Sequence, residues 1–406
     1  MEEFSFRKYI IGSFIAIIAL TFIIRLFLLQ VTDPRYKHSA ENNSQRSVIQ
    51  YPARGLIFDR NGKLLVYNMA AYDLMIIPRQ THEFDTTDLC SVLNIDKETL
   101  IKNILKAKKY SYYKPSVLVK QVSAEQYAVL MEKLYKYPGL FVQERTLRKY
   151  PKNIAAHVLG YIGEVDENIT KKNPYYKPGD YIGISGIEKS YEKVLRGKKG
   201  VKKYLVDVHN RIQGSYLDGL HDTAAVTGKS LVSTIDASLQ AYGEKLMQGK
   251  VGSIVAIEPS TGEVLVLVTS PSYDPNLMVG RVRSENYRML QNDSLNPLFN
   301  RALSSRYSPG SIFKVVQALV GLQEGVIDRN TGFPCSGTPV ACHGHPSANN
   351  VPEAIQRSCN PYFYRVYKRI IQRGKFRSAF EDSRYGLERW HKHMITFGLG
   401  KPLNID

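Results

Sequence analysis

The chain has 406 residues, 43% of them hydrophobic and 23% charged, enough apolar material for packed domains and too much for wholesale disorder. Its 55 Lys and Arg against 37 Asp and Glu leave a net charge of +18, which favours an anionic partner. Zinc-finger spacing, an aromatic RNA-binding motif and a long basic run are all missing, so nucleic acid is set aside and an acidic polymer or lipid remains.

The first predicted element is an anchor. Tyr9 to Leu29 reads YIIGSFIAIIALTFIIRLFLL, 21 residues that match the hydrocarbon thickness of a bilayer at helical rise. The following Gln30-Val31-Thr32 makes a poor cleavage site, so an uncleaved span is expected after a cytoplasmic tail of residues 1–8. Arg25 lies near the outer end and can snorkel. Charge leaves the orientation open, with Arg7 and Lys8 before the span and Arg35, Lys37 and Arg46 soon after it.

A polar connector is expected over residues 32–50, then a hairpin at Asn61-Gly62. Between 72 and 150, strand-like pieces (Leu74 to Ile77, Val117 to Val119) alternate with a helical one (Ala124 to Leu134), and a basic Tyr/Lys loop is expected over 106–114. A helix ends at Leu195-Arg196 with Gly197 as its cap. A domain boundary is predicted near Gly228, followed by a strand over Ser230 to Ile235 and a helix from Ala237 to Met247 capped by Asp236. Two apolar strands flank the turn Pro259-Ser260-Thr261-Gly262. Helices are predicted at about 312–324, 352–372 and 385–396.

The chemistry concentrates near residue 311. In Tyr307-Ser308-Pro309-Gly310-Ser311-Ile312-Phe313-Lys314 a Pro-Gly turn precedes a helical run. Ser311 is thus placed at a helix start, where N–H groups favour developing negative charge, and Lys314 lies one turn on along the same face. A serine needs a base to become a nucleophile, and a lysine serves only when burial depresses its pKa; the apolar Phe313, Val315 and Val316 favour such burial. Ser358-Cys359-Asn360 follows 47 residues later, offering a hydroxyl to relay a proton and an amide to hold a substrate amide. Each motif alone has an ordinary explanation, a helix cap with a solvated lysine for the first and a capping loop for the second.

In this order, the two motifs resemble the active-site signature of penicillin-recognising serine transpeptidases. Arg54-Gly55 with Asp59-Arg60-Asn61-Gly62, His157-Val158-Leu159-Gly160 and Gly183-Ile184-Ser185-Gly186-Ile187-Glu188 are similar to signatures of the class B stalk domain. Gly262-Glu263-Val264-Leu265 and Pro271-Ser272-Tyr273-Asp274-Pro275-Asn276 resemble the start of the transpeptidase domain. The resemblance covers almost the whole chain and is strongest for the elongation-type, penicillin-binding protein 2 group of the class B penicillin-binding proteins.

It implies an α/β transpeptidase fold, a sheet flanked by helices over 229–406, behind an elongated α+β stalk over 30–228 and the anchor at 9–29. It implies that Ser311 attacks the D-Ala-D-Ala bond of a peptidoglycan stem peptide with Lys314 as base, assisted by Ser358 and Asn360, and that β-lactams acylate the same serine. The implied setting is the bacterial inner membrane with the bulk outside the cytoplasm, beside a membrane glycosyltransferase that makes the glycan strands. The family's third motif, Lys-(Ser/Thr)-Gly, does not follow Asn360, so the sequence is expected to stop short of it. A truncated scaffold that binds the elongation machinery is therefore the alternative reading. A β-lactamase or β-lactam sensor is disfavoured by the stalk signatures.

Cys335, Cys342 and Cys359 fall within 25 residues, alongside His343 and His345. The spacing of Cys342 and His345 suits a ligand pair, and relatives with a zinc site here imply a structural Cys335, Cys342, His345, Cys359 set. His345 is preferred to His343, which adjoins Cys342 and would point away. A disulfide is the rival in an oxidising compartment.

Overall fold

The structure is a computed structural model that describes residues 3–28, 45–207, 212–402 and 405. It divides into two compact units, residues 1–304 and 305–406. The sequence places a boundary near Gly228 instead.

In the first unit, the helix Glu3–Phe27 contains the apolar stretch Lys8–Phe27, long and apolar enough to cross a membrane. The polar connector expected over 32–50 lies outside the described residues as far as 44. Its remainder is a strand rather than a connector: Gln45–Gln50 pairs antiparallel with Gly200–Val206, with Val48 opposite Lys202 and Ile49 opposite Val201. The long strand Leu64–Ile76 is the hub of a five-stranded sheet. It pairs antiparallel with Ile57–Phe58, Ser116–Val122 and Leu140–Lys149, and Leu231–Val232 joins in parallel beside Ile57–Phe58. Alternate residues Leu74 and Ile76 face a core shared with Leu118, Val122 and Leu140 of the sheet and Leu89, Leu93, Leu100 and Leu130 of the covering helices. The basic loop expected over 106–114 is shorter than that: residues up to Tyr110 are the end of the helix Lys97–Tyr110, since buried Leu100 and Ala107 keep helical phase.

The three stalk motifs meet around one buried carboxylate. Glu188 accepts from Arg54 Nε at 2.6 Å and from Arg148 Nε at 2.7 Å, while Arg54 Nη2 also reaches Glu192 at 2.6 Å. Gly160 belongs to the same knot. Its φ of +71° is left-handed, and a Cβ there would stand 1.9 Å from the Ser185 carbonyl oxygen, so no side chain fits. Buried Asp59 accepts from the N–H groups of Asn61, Lys63 and Ala237, which joins the hairpin to the start of the helix Ala237–Leu246. That helix is capped by Asp236, and the hairpin Gly252–Ile257 and Val264–Ser270 follows, both as expected.

The second unit is helical among the described residues. Phe313–Gln323, Val351–Gln356, Asn360–Ile371 and Ala379–Thr396 enclose a core of Val320, Phe333, Ala354, Tyr362, Val366, Ile370 and Met394. The single helix expected over 352–372 is two helices broken at Ser358, and the helix expected at 385 begins at Ala379, where Ser378 caps it.

Candidate active site

Ser311 lies in the 3-10 turn Gly310–Ile312, which runs directly into Phe313–Gln323. Gly310 turns the chain with φ of +61°, a left-handed conformation that suits glycine. Lys314 follows one turn later. Its helix is held to the core by Ala318 and Val320, with Phe313 and Val316 packed at the edge and Val315 exposed.

The opposite wall is made by the break between two helices. Ser358 takes φ of +49°, and the N–H groups of Ser358 and Cys359 close back onto the carbonyls of Ile355 and Ala354. Asn360-Pro361 then starts the next helix, with proline at a position where no N–H is needed. This reversal sends the side chains apart: Cys359 is fully buried, while Ser358 and Asn360 reach Lys314. A non-glycine residue in the left-handed region stores strain, and such strain clusters at functional sites.

The four residues named from the two motifs come together. Lys314 Nζ lies 2.6 Å from the Ser358 carbonyl oxygen, 2.6 Å from Asn360 Oδ1 and 2.9 Å from Ser358 Oγ. Ser358 Oγ stands 3.0 Å from Ser311 Oγ. Burial lowers the pKa of Lys314, and the nearby Cys342 and Cys359 thiols oppose that shift. In the neutral amine, two N–H bonds satisfy the two carbonyl oxygens and the lone pair is left for the Ser358 hydroxyl. In the structure Lys314 Nζ donates to Ser358 Oγ and Ser358 O–H donates to Ser311 Oγ; with the neutral amine both hydroxyls can turn, so that the same line runs from Ser311 through Ser358 to Lys314. The Asn360 amide is engaged on both sides, since its Nδ2 donates to the Ala341 carbonyl at 2.9 Å.

Four contributors were not legible beforehand. Phe313, Lys314, Gln317, Phe363, Tyr367 and Trp390 line an open cavity of about 340 Å³ beside the lysine, and Trp390 Nε1 donates to Gln317 Oε1 at 3.1 Å. Gln317 carries the helical spacing from Lys314 that would have flagged it; Phe363, Tyr367 and Trp390 come from other helices and carry no such signal. The Phe363 ring lies 6.0 Å from Lys314 Nζ.

Cys335, Cys342, His345 and Cys359 also converge, with all four ligand atoms within 4.8 Å of one another. Cys335 Sγ is 3.6 Å from Cys359 Sγ and 3.6 Å from His345 Nε2, and Cys342 Sγ is 3.1 Å from the same nitrogen. Neighbouring donors around a tetrahedral ion with arms of about 2.0–2.3 Å stand about 3.5–3.8 Å apart, so the set fits such an ion. His345 Nδ1 lies 2.7 Å from the Pro346 carbonyl, which only accepts, so Nδ1 carries the proton and Nε2 is the free donor atom. His343 is not among the four: its Nδ1 stands 4.0 Å from Cys342 Sγ and its Nε2 is taken by the Arg357 carbonyl at 3.0 Å. Burial raises the Cys342 thiol, but the N–H groups of Asn360 and His343, the Cys335 thiol and the His345 ring bring it down to about 6.

Comparison with known proteins divides the chain between residues 233 and 252, beside the boundary read from the sequence near Gly228 and not at the 304/305 division of the compact units. Residues 49–233 match a family described as the penicillin-binding protein dimerisation domain, and residues 252–406 match the penicillin-binding protein transpeptidase domain. The chain is similar over its whole length to the peptidoglycan D,D-transpeptidase MrdA of Haemophilus influenzae, at 30% identity, and of Escherichia coli K12, at 32%. It spans 63% and 64% of those two proteins. A solved complex between a penicillin-binding protein (PBP2) and MreC from Helicobacter pylori shares 28% identity with a TM-score of 0.69, covering 85% of this chain and 65% of that one.

Proposed function

Since the chain belongs to the class B penicillin-binding proteins, which join a dimerisation domain to a transpeptidase domain, we propose that it is a peptidoglycan D,D-transpeptidase of the elongation type. The observation that carries this reading is the continuous line Ser311 Oγ, Ser358 Oγ, Lys314 Nζ at 3.0 and 2.9 Å.

Ser311 attacks the carbonyl carbon between the two D-Ala residues of a stem peptide. Its proton passes to Ser358 Oγ as the Ser358 proton passes to Lys314. The Ser311 N–H, at the start of its helix, supports the oxyanion. The ammonium of Lys314 returns a proton through Ser358 to the departing D-Ala amine, which leaves an ester on Ser311. An amine of a neighbouring stem peptide then attacks that ester and passes its proton through the same groups to Ser311 Oγ, so that the acyl–Oγ bond breaks, the cross-link forms and Ser311 is restored as a hydroxyl. A β-lactam presents a strained amide to Ser311 and stops at the ester. Asn360, held by Ala341, keeps the lysine amine aimed at Ser358.

Zinc bound by Cys335, Cys342, His345 and Cys359 would be structural, because four protein ligands leave no open position. Its chemistry is to fix the Cys335–His345 loop against Cys359, and so to fix Ser358 and Asn360 on either side of that ligand. The Lys8–Phe27 helix would anchor the protein in the inner membrane with the bulk of the chain beyond it outside the cytoplasm. A membrane glycosyltransferase and an MreC-like protein are the partners this setting supplies, the latter because the Helicobacter pylori relative was solved with MreC.

Fluorescent penicillin labelling of a full-length version that carries the family's third motif tests the assignment. Label is expected on the peptide that carries Ser311, and Ser311→Ala and Lys314→Ala should each abolish it. Label on any other peptide refutes the proposal. Purified protein should hold about one equivalent of zinc, and less than about a tenth of an equivalent with two thiols missing would favour a disulfide instead.

A further inference from the structure

The backbone around Cys335 is held by protein contacts that need no ion. Arg365 donates to the carbonyls of Pro334 and Ser336, both at 2.5 Å, and the Cys335 N–H donates to Ser347 Oγ at 3.1 Å. Arg357 closes the far side of the loop through the carbonyls of Pro346 and Ser347 at 3.0 and 2.7 Å. Cys359 is set by the two helices that flank it and is fully buried, whereas Cys335 is partly exposed. The two sulfurs are therefore presented to each other at 3.6 Å by the fold itself. A disulfide needs them at about 2.05 Å, a closure of about 1.5 Å. The third thiol lies nearer the histidine, with Cys342 Sγ 3.1 Å from His345 Nε2 against 3.6 Å for Cys335 Sγ.

We infer that Cys335 and Cys359 form a metal-guarded redox pair: with the ion bound both sulfurs are ligands, and once it leaves they are oxidised to a disulfide. The oxidant is a low-molecular-weight disulfide such as glutathione disulfide. Cys335, the accessible member, loses its proton and attacks it, forming a mixed disulfide and expelling one thiolate. Cys359 then loses its proton, attacks Cys335 Sγ at close range and expels the second thiolate. Two protein thiols lose two protons and two electrons, and the oxidant is reduced to two thiols. Cys359 stands between Ser358 and Asn360, so drawing its sulfur toward Cys335 displaces the residues that orient Lys314. Loss of the ion thus becomes a covalent, reducible mark beside the active site. This inference rests on the zinc proposal above.

The test uses the full chain in detergent, zinc-loaded or stripped with a chelator, then exposed to glutathione disulfide. Thiols are blocked with N-ethylmaleimide and mapped by mass spectrometry after digestion. In the stripped protein, free thiols should fall from four to two, with one cross-linked peptide pairing Cys335 and Cys359. The zinc-loaded protein should keep all four over the same time, and stripped Cys359→Ser should carry glutathione on Cys335. A bridge through Cys342 or Cys90 overturns the inference, as does equal oxidation of the zinc-loaded protein. Zinc present at one equivalent with no bridge after stripping overturns the redox pair and leaves the zinc site standing. A purified chain without zinc and already bridged overturns both.

Discussion

Replacing Ser358 by glycine isolates the relay oxygen from the backbone that holds it. Ser358 has φ of +49°, and a left-handed residue other than glycine costs about 1–2 kcal/mol. Ser358→Gly removes that strain, while the Ser358 carbonyl and the Asn360 amide still take two N–H bonds from Lys314. What disappears is the Oγ that stands 2.9 Å from Lys314 Nζ and 3.0 Å from Ser311 Oγ. Positioned proton transfer contributes about 10²–10⁴-fold to such reactions, equivalent to about 3–5 kcal/mol of barrier. The second-order rate of acylation by a fluorescent penicillin should therefore fall by about that factor. The midpoint of thermal unfolding should hold or rise. A rate within about threefold of the parent would refute the relay and return the role of base to a direct Ser311–Lys314 contact.

Asn360→Asp places a carboxylate 2.6 Å from Lys314 Nζ, which favours the ammonium and raises the lysine pKa, so the rising limb of acylation against pH should move to higher pH; an unmoved limb would contradict Lys314 as base. Glu188→Gln leaves Arg54 and Arg148 buried without their shared charge and should destabilise the protein by about 3–5 kcal/mol in chemical denaturation, whereas a loss below about 1 kcal/mol would refute the knot. Burial raises the Glu324 pKa, but hydrogen bonds from His393 and Arg389 outweigh it and hold the carboxyl below its ordinary 4.5. A depressed folded pKa means its contribution is present above about pH 4.5 and lost as pH falls through the lower value, so Glu324→Gln should flatten that part of the acid unfolding curve. Gly160→Ala should fail to fold or lose several degrees of melting temperature, because its Cβ would overlap the Ser185 carbonyl.

Residues close in sequence carried much of this molecule's logic by themselves. An apolar run of bilayer length, a Pro-Gly turn before a helix and a serine and lysine three apart are local patterns, and local geometry alone places Ser311 and Lys314 on one face. The Asp236 cap and the Asn61-Gly62 turn were legible for the same reason. The apolar period over 352–372 runs on past Ser358, so the sequence offers both a continuous helix and a capping loop at Ser358-Cys359-Asn360 and does not choose between them. The break comes from a left-handed residue, stabilised by closing hydrogen bonds to Ile355 and Ala354 and by burial of Cys359. That packing turned two separate motifs into one hydrogen-bonded line across 47 residues, and it brought Cys335 within reach of Cys359. Residue spacing proposes such partners. Only the folded core, which decides which side of a turn is buried, sets them 3.0 and 3.6 Å apart.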